Sequence, residues 1–235
     1  MSQNQTTRYF KYAIGEIILV VIGILIALQI NNWNQGRISA KKERSYLNEI
    51  RTSLKSDALK ISEALEFNVG KDSIVVNLMG IFDSSLSNDE RMEIIEANSL
   101  PFTSYEYFTP SSTTWNNFIS AENINLISNQ DLRTKLMAYY SFNYEGSVQE
   151  RIKDMNRKVI DENFPKFFTK EYTSKYLNID TDFPTNAEFT MHRSQQFISD
   201  LYGIRFLINA QNEFFKTTND QVTAMIALIE DEMQL

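Results

Sequence analysis

The chain contains no cysteine, and this absence removes several kinds of chemistry at once. Without thiols it forms no disulfide, carries no thiolate nucleophile and holds no cysteine-ligated metal. Histidine is almost as scarce, since His192 is the only one among 235 residues. A metal site with two histidines is therefore excluded, and a Ser-His-Asp triad would depend on His192 alone. Because His192 lies beside Arg193 with no carboxylates at a coordinating spacing, a surface or capping role is favoured.

Glycine and proline, which punctuate turns, are also rare, with seven and four occurrences. A chain so poor in turn-forming residues is built more easily from a few long helices than from many short strands. Positive charge is also in the minority, because the formal net charge is −7 and no concentrated basic face follows Arg44. Nucleic acid is therefore not expected as a partner.

The most distinctive stretch of the chain is one long apolar run, Ala13 to Ile30. Its length approaches the roughly 20 residues that a membrane-spanning helix needs. Aromatic residues that suit the headgroup region flank it on both sides, namely Tyr9, Phe10, Tyr12 and Trp33. A cleavable signal peptide is the alternative, but no small-residue cleavage site follows the run. The sequence thus predicts an N-terminal flank over 1–12, a transmembrane helix over 13–34 and a soluble domain over 35–235.

One face of the predicted transmembrane helix carries a pattern, which we call the stripe: Glu16, Val20, Gly23 and Ala27. Their spacings of four, three and four place them on one side of a helix. Small residues four positions apart let two helices approach closely. Glu16 lies about one turn inside the boundary, so it either reaches back to the headgroups, accepts a hydrogen bond from a neighbouring helix, or carries a proton.

The segment KYAIGEIILVVIGILIALQINNWNQ, Lys11 to Gln35, resembles the N-terminal signature of an uncharacterised family of small single-span bacterial inner-membrane proteins. A looser likeness continues in Leu47 to Leu54 and in Thr114 to Tyr140. The resemblance implies a membrane location and supplies no activity or catalytic residue. It also favours a periplasmic C-terminal domain, as does the tendency of long domains to cross regardless of modest flanking charge. The raw count of basic residues around the run favours the cytoplasm instead.

Downstream of the apolar run the helical pattern continues to about Asp83, with an apolar face formed by Leu47, Ile50, Leu54, Ile61 and Leu65. Gly70 and Gly80 each cost about 1 kcal/mol inside a helix, so we expect this helix to be broken. A short helix follows, capped by Asn88 or Asp89. Pro101 and Pro110 then bracket an aromatic loop.

The aromatic loop and the short helix after it supply five candidate site residues: Tyr105, Tyr107, Phe108, Ser112 and Trp115. They are interpreted as closing one end of a helical bundle with their rings. The alternative is a small-ligand pocket in which hydroxyls and amides at a helix start meet an anion.

Two further helical stretches are expected before the last helix. Asn129 should cap the first, and Val148, Ile152, Met155 and Val159 form the apolar face of its continuation, with a kink at Gly146. The irregular stretch Pro165 to Asn186 is interpreted as a connection. The last helix shows an unbroken seam of alternating four-residue and three-residue spacings: Phe197, Leu201, Ile204, Ile208, Gln211, Phe215, Thr218, Val222, Met225 and Ile229.

These patterns together predict an all-α protein: an N-terminal transmembrane helix continuous with a long helix, then an elongated antiparallel bundle of about four helices. The predicted function is that of a non-enzymatic assembly or accessory subunit of the bacterial inner membrane. Its partners would be the lipid bilayer and either itself or another membrane protein, with no cofactor. The alternative is a membrane-anchored ligand sensor that signals through a partner, whereas an enzyme would have to rely on carboxylates alone.

Overall fold

A computed structural model describes residues 3–82, 85–121, 123–163, 169–183 and 195–234. Within these ranges every regular element is helical and no strand occurs, which confirms the predicted all-α class. In chain order the α-helices are α1 (Gln3–Gly80), α2 (Asn88–Thr103), α3 (Thr113–Ser120), α4 (Gln130–Ser141), α5 (Val148–Asn163), α6 (Lys170–Tyr172) and α7 (Gln195–Gln234). A 3-10 turn, Asn123–Leu126, follows α3, and a π turn, Thr173–Leu177, follows α6.

The helices form a bundle with four antiparallel layers. The first layer is α1 and the fourth is α7. Helix α7 runs in the opposite direction to α1, since Arg44 of α1 lies near the end of α7 and Asp72 of α1 pairs with Arg205 near its start. The second layer consists of α2, the segment after it and α3, which return along α1. The third layer is α4 followed by α5, which run parallel to α1. The predicted bundle of about four helices is therefore present, with two of its layers each divided into two helices.

The long helix α1 continues through Gly70, so the break expected there is wrong. Residues on both sides of Gly70 face the interior at alternating three-residue and four-residue spacings: Leu47, Ile50, Leu54, Asp57, Ile61, Ala64, Asn68, Lys71, Val75 and Leu78. Burying one large aliphatic side chain contributes about 1.5–3 kcal/mol, which exceeds the cost of about 1 kcal/mol for one glycine. The helix ends at Gly80, the second position where a break was expected.

Helix α2 differs from the prediction at both ends. Its N-cap is Ser87, whose hydroxyl accepts from the backbone N–H of Glu90, while the Glu90 carboxylate accepts from the N–H of Ser87 at 2.7 Å. This reciprocal capping box satisfies two helix-end donors, which neither Asn88 nor Asp89 does here. The helix also continues past Pro101 to Thr103 and buries Phe102. A proline inside a helix removes one backbone hydrogen bond and crowds the carbonyl four residues earlier, at a cost of about 3 kcal/mol, and the burial of Phe102 offsets part of this cost.

The later helices begin mostly where the sequence predicts. Asn129 caps α4, since its Oδ1 accepts from the N–H of Leu132 at 3.0 Å. Gly146 lies between two separate helices rather than at a kink, and its N–H donates to Asn143 Oδ1. All ten positions of the α7 seam are buried, as predicted.

The interior contains two hydrophobic clusters arranged along the bundle. The proximal core, nearer the apolar run, joins α1 from Leu47 to Ala64 with α3, α4 and the second half of α7. The distal core joins the end of α1 and the turn after it, from Val75 to Ile81, with α2, α5 and the first half of α7. Between the two cores the inward positions of α1 are polar, at Asn68 and Lys71.

Candidate functional site

The apolar part of α1 stands apart from the bundle. From Ile14 to Ile30 every residue is exposed, and no described residue of the chain packs against them. The segment is long and apolar enough to cross a membrane, with a mean hydropathy of 2.3 over its best window. Exposed apolar surface of this extent marks a site that contacts lipid or protein.

The stripe lies on this exposed surface. Glu16, Val20, Gly23 and Ala27 are all exposed, and a Cβ added at Gly23 would meet no atom within 4 Å. Trp33, the predicted anchor on the far side, is 68% exposed, and the Arg37 guanidinium lies 5.6 Å from its ring centre. The side chains of the other predicted anchors, Tyr9, Phe10 and Tyr12, lie outside the described residues.

The five aromatic-loop candidates lie along the side of the bundle. The N–H of Ser111 donates to Asp57 and the carbonyl of Glu106 accepts from Gln211, so this segment follows the middle of α1. Phe108 and Trp115 are buried in the proximal core, where Trp115 stacks on Tyr140 at 4.9 Å.

The other three candidates face outward or lie at the surface. The ring of Tyr105 meets that of Tyr107 edge-on at 6.0 Å, and the hydroxyl of Tyr107 donates to the Glu145 carbonyl. Ser112 lies at the start of α3, where its side chain makes no capping bond.

Between the two cores, one polar layer crosses the bundle, and we call it the waist: Asn68, Lys71, Asn156 and Gln211. Lys71 is its central group, only 2% exposed. Its ammonium donates to the carbonyl of Ser104 and to Asn156 Oδ1 at 2.7 Å. None of the carboxylates in the described ranges forms an ion pair with it. Burial away from water lowers the pKa of Lys71 to about 7.

The rest of the waist is built from amides. Asn68 Nδ2 donates to Gln211 Oε1 at 3.0 Å and to Asn212 Oδ1 at 2.8 Å, while Gln211 Nε2 donates to the Glu106 carbonyl at 3.1 Å. Asn68 Oδ1 is buried, and no described residue donates a hydrogen bond to it. The layer therefore ties α1, α5, α7 and the segment after α2 together, and at neutral pH it holds an amine that can gain or lose one proton.

The spacing in α7 predicted that Gln211 lies on the buried seam, whereas Asn68, Lys71 and Asn156 were not predicted. The missed signal is the spacing of the apolar positions in α1. Continuing from Leu47 by alternating three and four residues leads directly to Asp57, Asn68 and Lys71. A helix turns the same face toward its neighbours along its whole length, whether the side chains on that face are apolar or polar. The spacing therefore predicts burial for the polar residues on that face as well.

A second buried polar group lies at Asp57, which is fully buried in the proximal core region. Its carboxylate accepts from the N–H of Ser111 and from the hydroxyl of Tyr139, both at 2.9 Å, and Lys60 lies 3.5 Å away. Burial and the charge of Asp57 raise the pKa of Tyr139. These bonds join α1 to α4 and to the loop before α3, which is a structural role.

A groove of about 700 Å³ opens between α4 and α7. Its floor is aromatic, formed by Tyr139, Tyr144, Phe142 and Phe214, and the Phe142 ring is half exposed. Polar side chains at its rim include Lys135 and Asp220. Clefts of this volume are large enough for a small organic molecule.

Metal ligation finds little support in the part of the chain that the structure describes. No three histidine or acidic side chains gather there in a group that could hold an ion. His192 lies outside the described residues.

Comparison with known proteins places the chain in a family. No curated protein and no solved structure matches it. A family model does match, over residues 16–194, and this range includes the apolar run from Glu16 onward, the waist residues of α1 and α5, and the groove residues of α4. Because the match covers well over half of the chain, the protein belongs to the family of unknown function DUF6090.

Proposed function

We propose that this protein is a single-pass inner-membrane protein of bacteria that works as a non-enzymatic assembly or accessory subunit. The observation that carries the proposal is the continuity of α1. One helix runs from the exposed apolar segment into the bundle, where its inward face is covered by α7 and the other layers. The bundle is thereby attached to whatever surrounds the apolar segment.

Lipid is the surrounding that best fits the apolar segment. Its 18 residues, Ala13 to Ile30, span about 27 Å at the rise of an α-helix, close to the 30 Å of a bilayer core. A helix also satisfies its own backbone hydrogen bonds, which hydrocarbon cannot do. Glu16 lies near one end of the segment, within reach of the headgroup region.

The stripe is the proposed contact with a second membrane helix, from another copy or another protein. Gly23 and Ala27 are four residues apart, and neither carries a side chain that would hold a neighbouring backbone away. Glu16 lies on the same side and can accept a hydrogen bond from that neighbour. Because α1 is unbroken, such a contact would fix the position of the bundle relative to its partner.

The experiment compares Gly23→Leu with Gly15→Leu in the full chain in native membranes. Gly15 lies about 80° around the helix from Gly23, and at both sites an added Cβ meets no atom of the described residues within 4 Å. We expect both variants to stay in the membrane pellet after alkaline extraction. Cross-linked species should decrease in Gly23→Leu only. A wild-type chain that is purely monomeric and brings down no partner would count decisively against the proposal, as would equal effects of the two variants.

The bundle is proposed to lie in the periplasm. Long domains cross the membrane with little regard to modest flanking charge. A reporter enzyme that is active only after export, fused after Leu235, should be active. A fusion that works only with a cytoplasmic reporter would reverse the orientation and leave the assembly role unchanged.

The groove between α4 and α7 favours a second candidate function, a ligand sensor that signals through a partner. A panel of metabolites screened by thermal shift should then contain a compound that stabilises the bundle. Ala224 lines the groove and Ala227, one turn further along α7, does not. Ala224→Trp should abolish the shift and Ala227→Trp should keep it. A shift that survives in both variants would exclude the groove as the binding site.

A further inference from the structure

We propose that Arg37, Lys41 and Lys42 form a binding surface for the headgroups of anionic phospholipids, at the end of the apolar segment from which the bundle emerges. The proposal rests on the membrane insertion proposed above. It assigns a partner of stated chemistry to the part of α1 that lies between the apolar segment and the bundle.

The first observation is the charge of this part of the helix. No acidic residue occurs between Glu16 and Glu43, so the three cations face no carboxylate on their own stretch of helix. Glu43 is engaged elsewhere, because it accepts from the N–H and hydroxyl of Ser128 at 2.6 and 3.0 Å.

The described part of the bundle does not supply the missing charge either. Arg44, the next cation, turns to the end of α7 and donates to the Met233 carbonyl at 2.6 Å. Arg37, Lys41 and Lys42 are exposed, and in the described ranges none of them forms an ion pair. Among the described residues, their positive charge is therefore left without an acidic partner.

The second observation is the height of these residues above the apolar segment. Arg37 lies about 10 Å beyond Ile30 along the helix axis, and Lys41 and Lys42 lie about 16 and 18 Å beyond it. The headgroup layer is about 5 to 8 Å thick on each side of the hydrocarbon core. Arg37 is thus placed to reach phosphates with its side chain, whereas the two lysines stand within about one Debye length of the charged surface.

The third observation is the pairing of Trp33 with Arg37. The guanidinium lies 5.6 Å from the indole ring centre, one turn away on the same face. Tryptophan prefers the membrane interface, and arginine binds phosphate in a planar, two-bond geometry. The ring places the guanidinium at the level where lipid phosphates lie.

Lipid is favoured over nucleic acid by what surrounds the cluster. The chain as a whole carries a net charge of −7, which would repel a long polyanion. The three cations lie on one helix directly beyond an apolar segment. A bilayer of anionic phospholipids has the matching order, because its negatively charged headgroups lie directly beyond its hydrocarbon core.

The test uses the fluorescence of Trp33 in the full chain reconstituted into vesicles of equal parts phosphatidylcholine and phosphatidylglycerol. Bromine atoms placed on the acyl chains of one lipid or the other quench a tryptophan that lies near that lipid. Trp115 is buried opposite residues 46–53 of α1, far from the bilayer, and a Trp33→Phe variant gives its constant background.

We expect brominated phosphatidylglycerol to quench Trp33 more strongly than brominated phosphatidylcholine, reflecting a local preference of about fivefold. In the triple variant Arg37→Gln, Lys41→Gln, Lys42→Gln, the two brominated lipids should quench Trp33 equally. A control that removes the same charge from α5, Arg151→Gln, Lys153→Gln, Arg157→Gln, should behave as wild type. Among single variants Arg37→Gln should have the largest effect, and 1 M salt should reduce the preference.

The outcomes separate this inference from the proposed function. Quenching by neither brominated lipid would mean that the segment is not inserted, and both proposals would fail. Equal quenching by both lipids in the wild-type chain would leave the membrane anchor in place and overturn the lipid-binding surface. The lipid-binding surface would also be overturned if the α5 control lost the preference for phosphatidylglycerol as fully as the triple variant.

Discussion

The buried amine at the waist makes the stability of the bundle depend on pH in a way that one substitution should remove. Lys71 has a pKa of about 7 in the folded chain, against an ordinary value of 10.5. Between these two values the unfolded chain binds a proton that the folded chain does not. The free energy of unfolding therefore rises as pH increases through this window. Lys71→Met replaces the amine by an unbranched side chain that does not titrate.

The size of the effect follows from the two pKa values. Their difference corresponds to about 5 kcal/mol over the full window. Between pH 6 and pH 9 the wild-type chain should gain about 2.5 kcal/mol relative to Lys71→Met. The variant also removes the donor to the Ser104 carbonyl and to the buried Asn156 Oδ1, and an unsatisfied buried acceptor such as Asn156 Oδ1 costs about 1–3 kcal/mol. That cost does not change with pH, so the slope rather than the absolute stability is the readout.

The assay is urea unfolding of the full chain in detergent at pH 6, 7, 8 and 9, followed through the fluorescence of the buried Trp115. The control is Lys216→Met, which removes an exposed lysine on α7. Its stability should parallel that of the wild-type chain at every pH. If Lys71→Met also runs parallel to wild type between pH 6 and 9, then Lys71 keeps an ordinary pKa and the reasoning about its burial is wrong.

Four further predictions concern stability alone, each measured by denaturant unfolding. Gly70→Ala should stabilise the bundle by about 1 kcal/mol, because α1 is helical there and an added Cβ meets no atom. Gly203→Ala should gain less, since its Cβ would lie 2.7 Å from Met155 Cε; equal gains would contradict the close approach. Phe118→Ala should cost about 3–5 kcal/mol, because its ring is fully buried against Tyr46 and Trp115. Asn129→Ala should cost about 1 kcal/mol and Asn129→Ser much less, provided that the side chain acts as the N-cap of α4.

Local and periodic features of the sequence were enough for much of the fold. The all-helical class follows from the scarcity of glycine and proline, and the seam of α7 follows from its spacing alone. The cap of α4 at Asn129 was also correct, because an N-cap is decided within four residues of chain. The aromatic cluster was located less well, since sequence indicates that rings are buried but not along which side of a bundle the loop runs.

The sequence by itself determined that this chain is helical, that one apolar segment is long enough to cross a membrane, and which face of α7 is buried. Only the tertiary structure decided that α1 passes through Gly70, that α2 passes through Pro101, and that Lys71 lies between two cores. Each of these depends on neighbours distant in the chain, whose packing outweighs a local cost of about 1 kcal/mol at Gly70 and about 3 kcal/mol at Pro101. For Lys71, the carbonyl of Ser104 and the amide of Asn156 make burial possible, and only folding brings those acceptors to the amine.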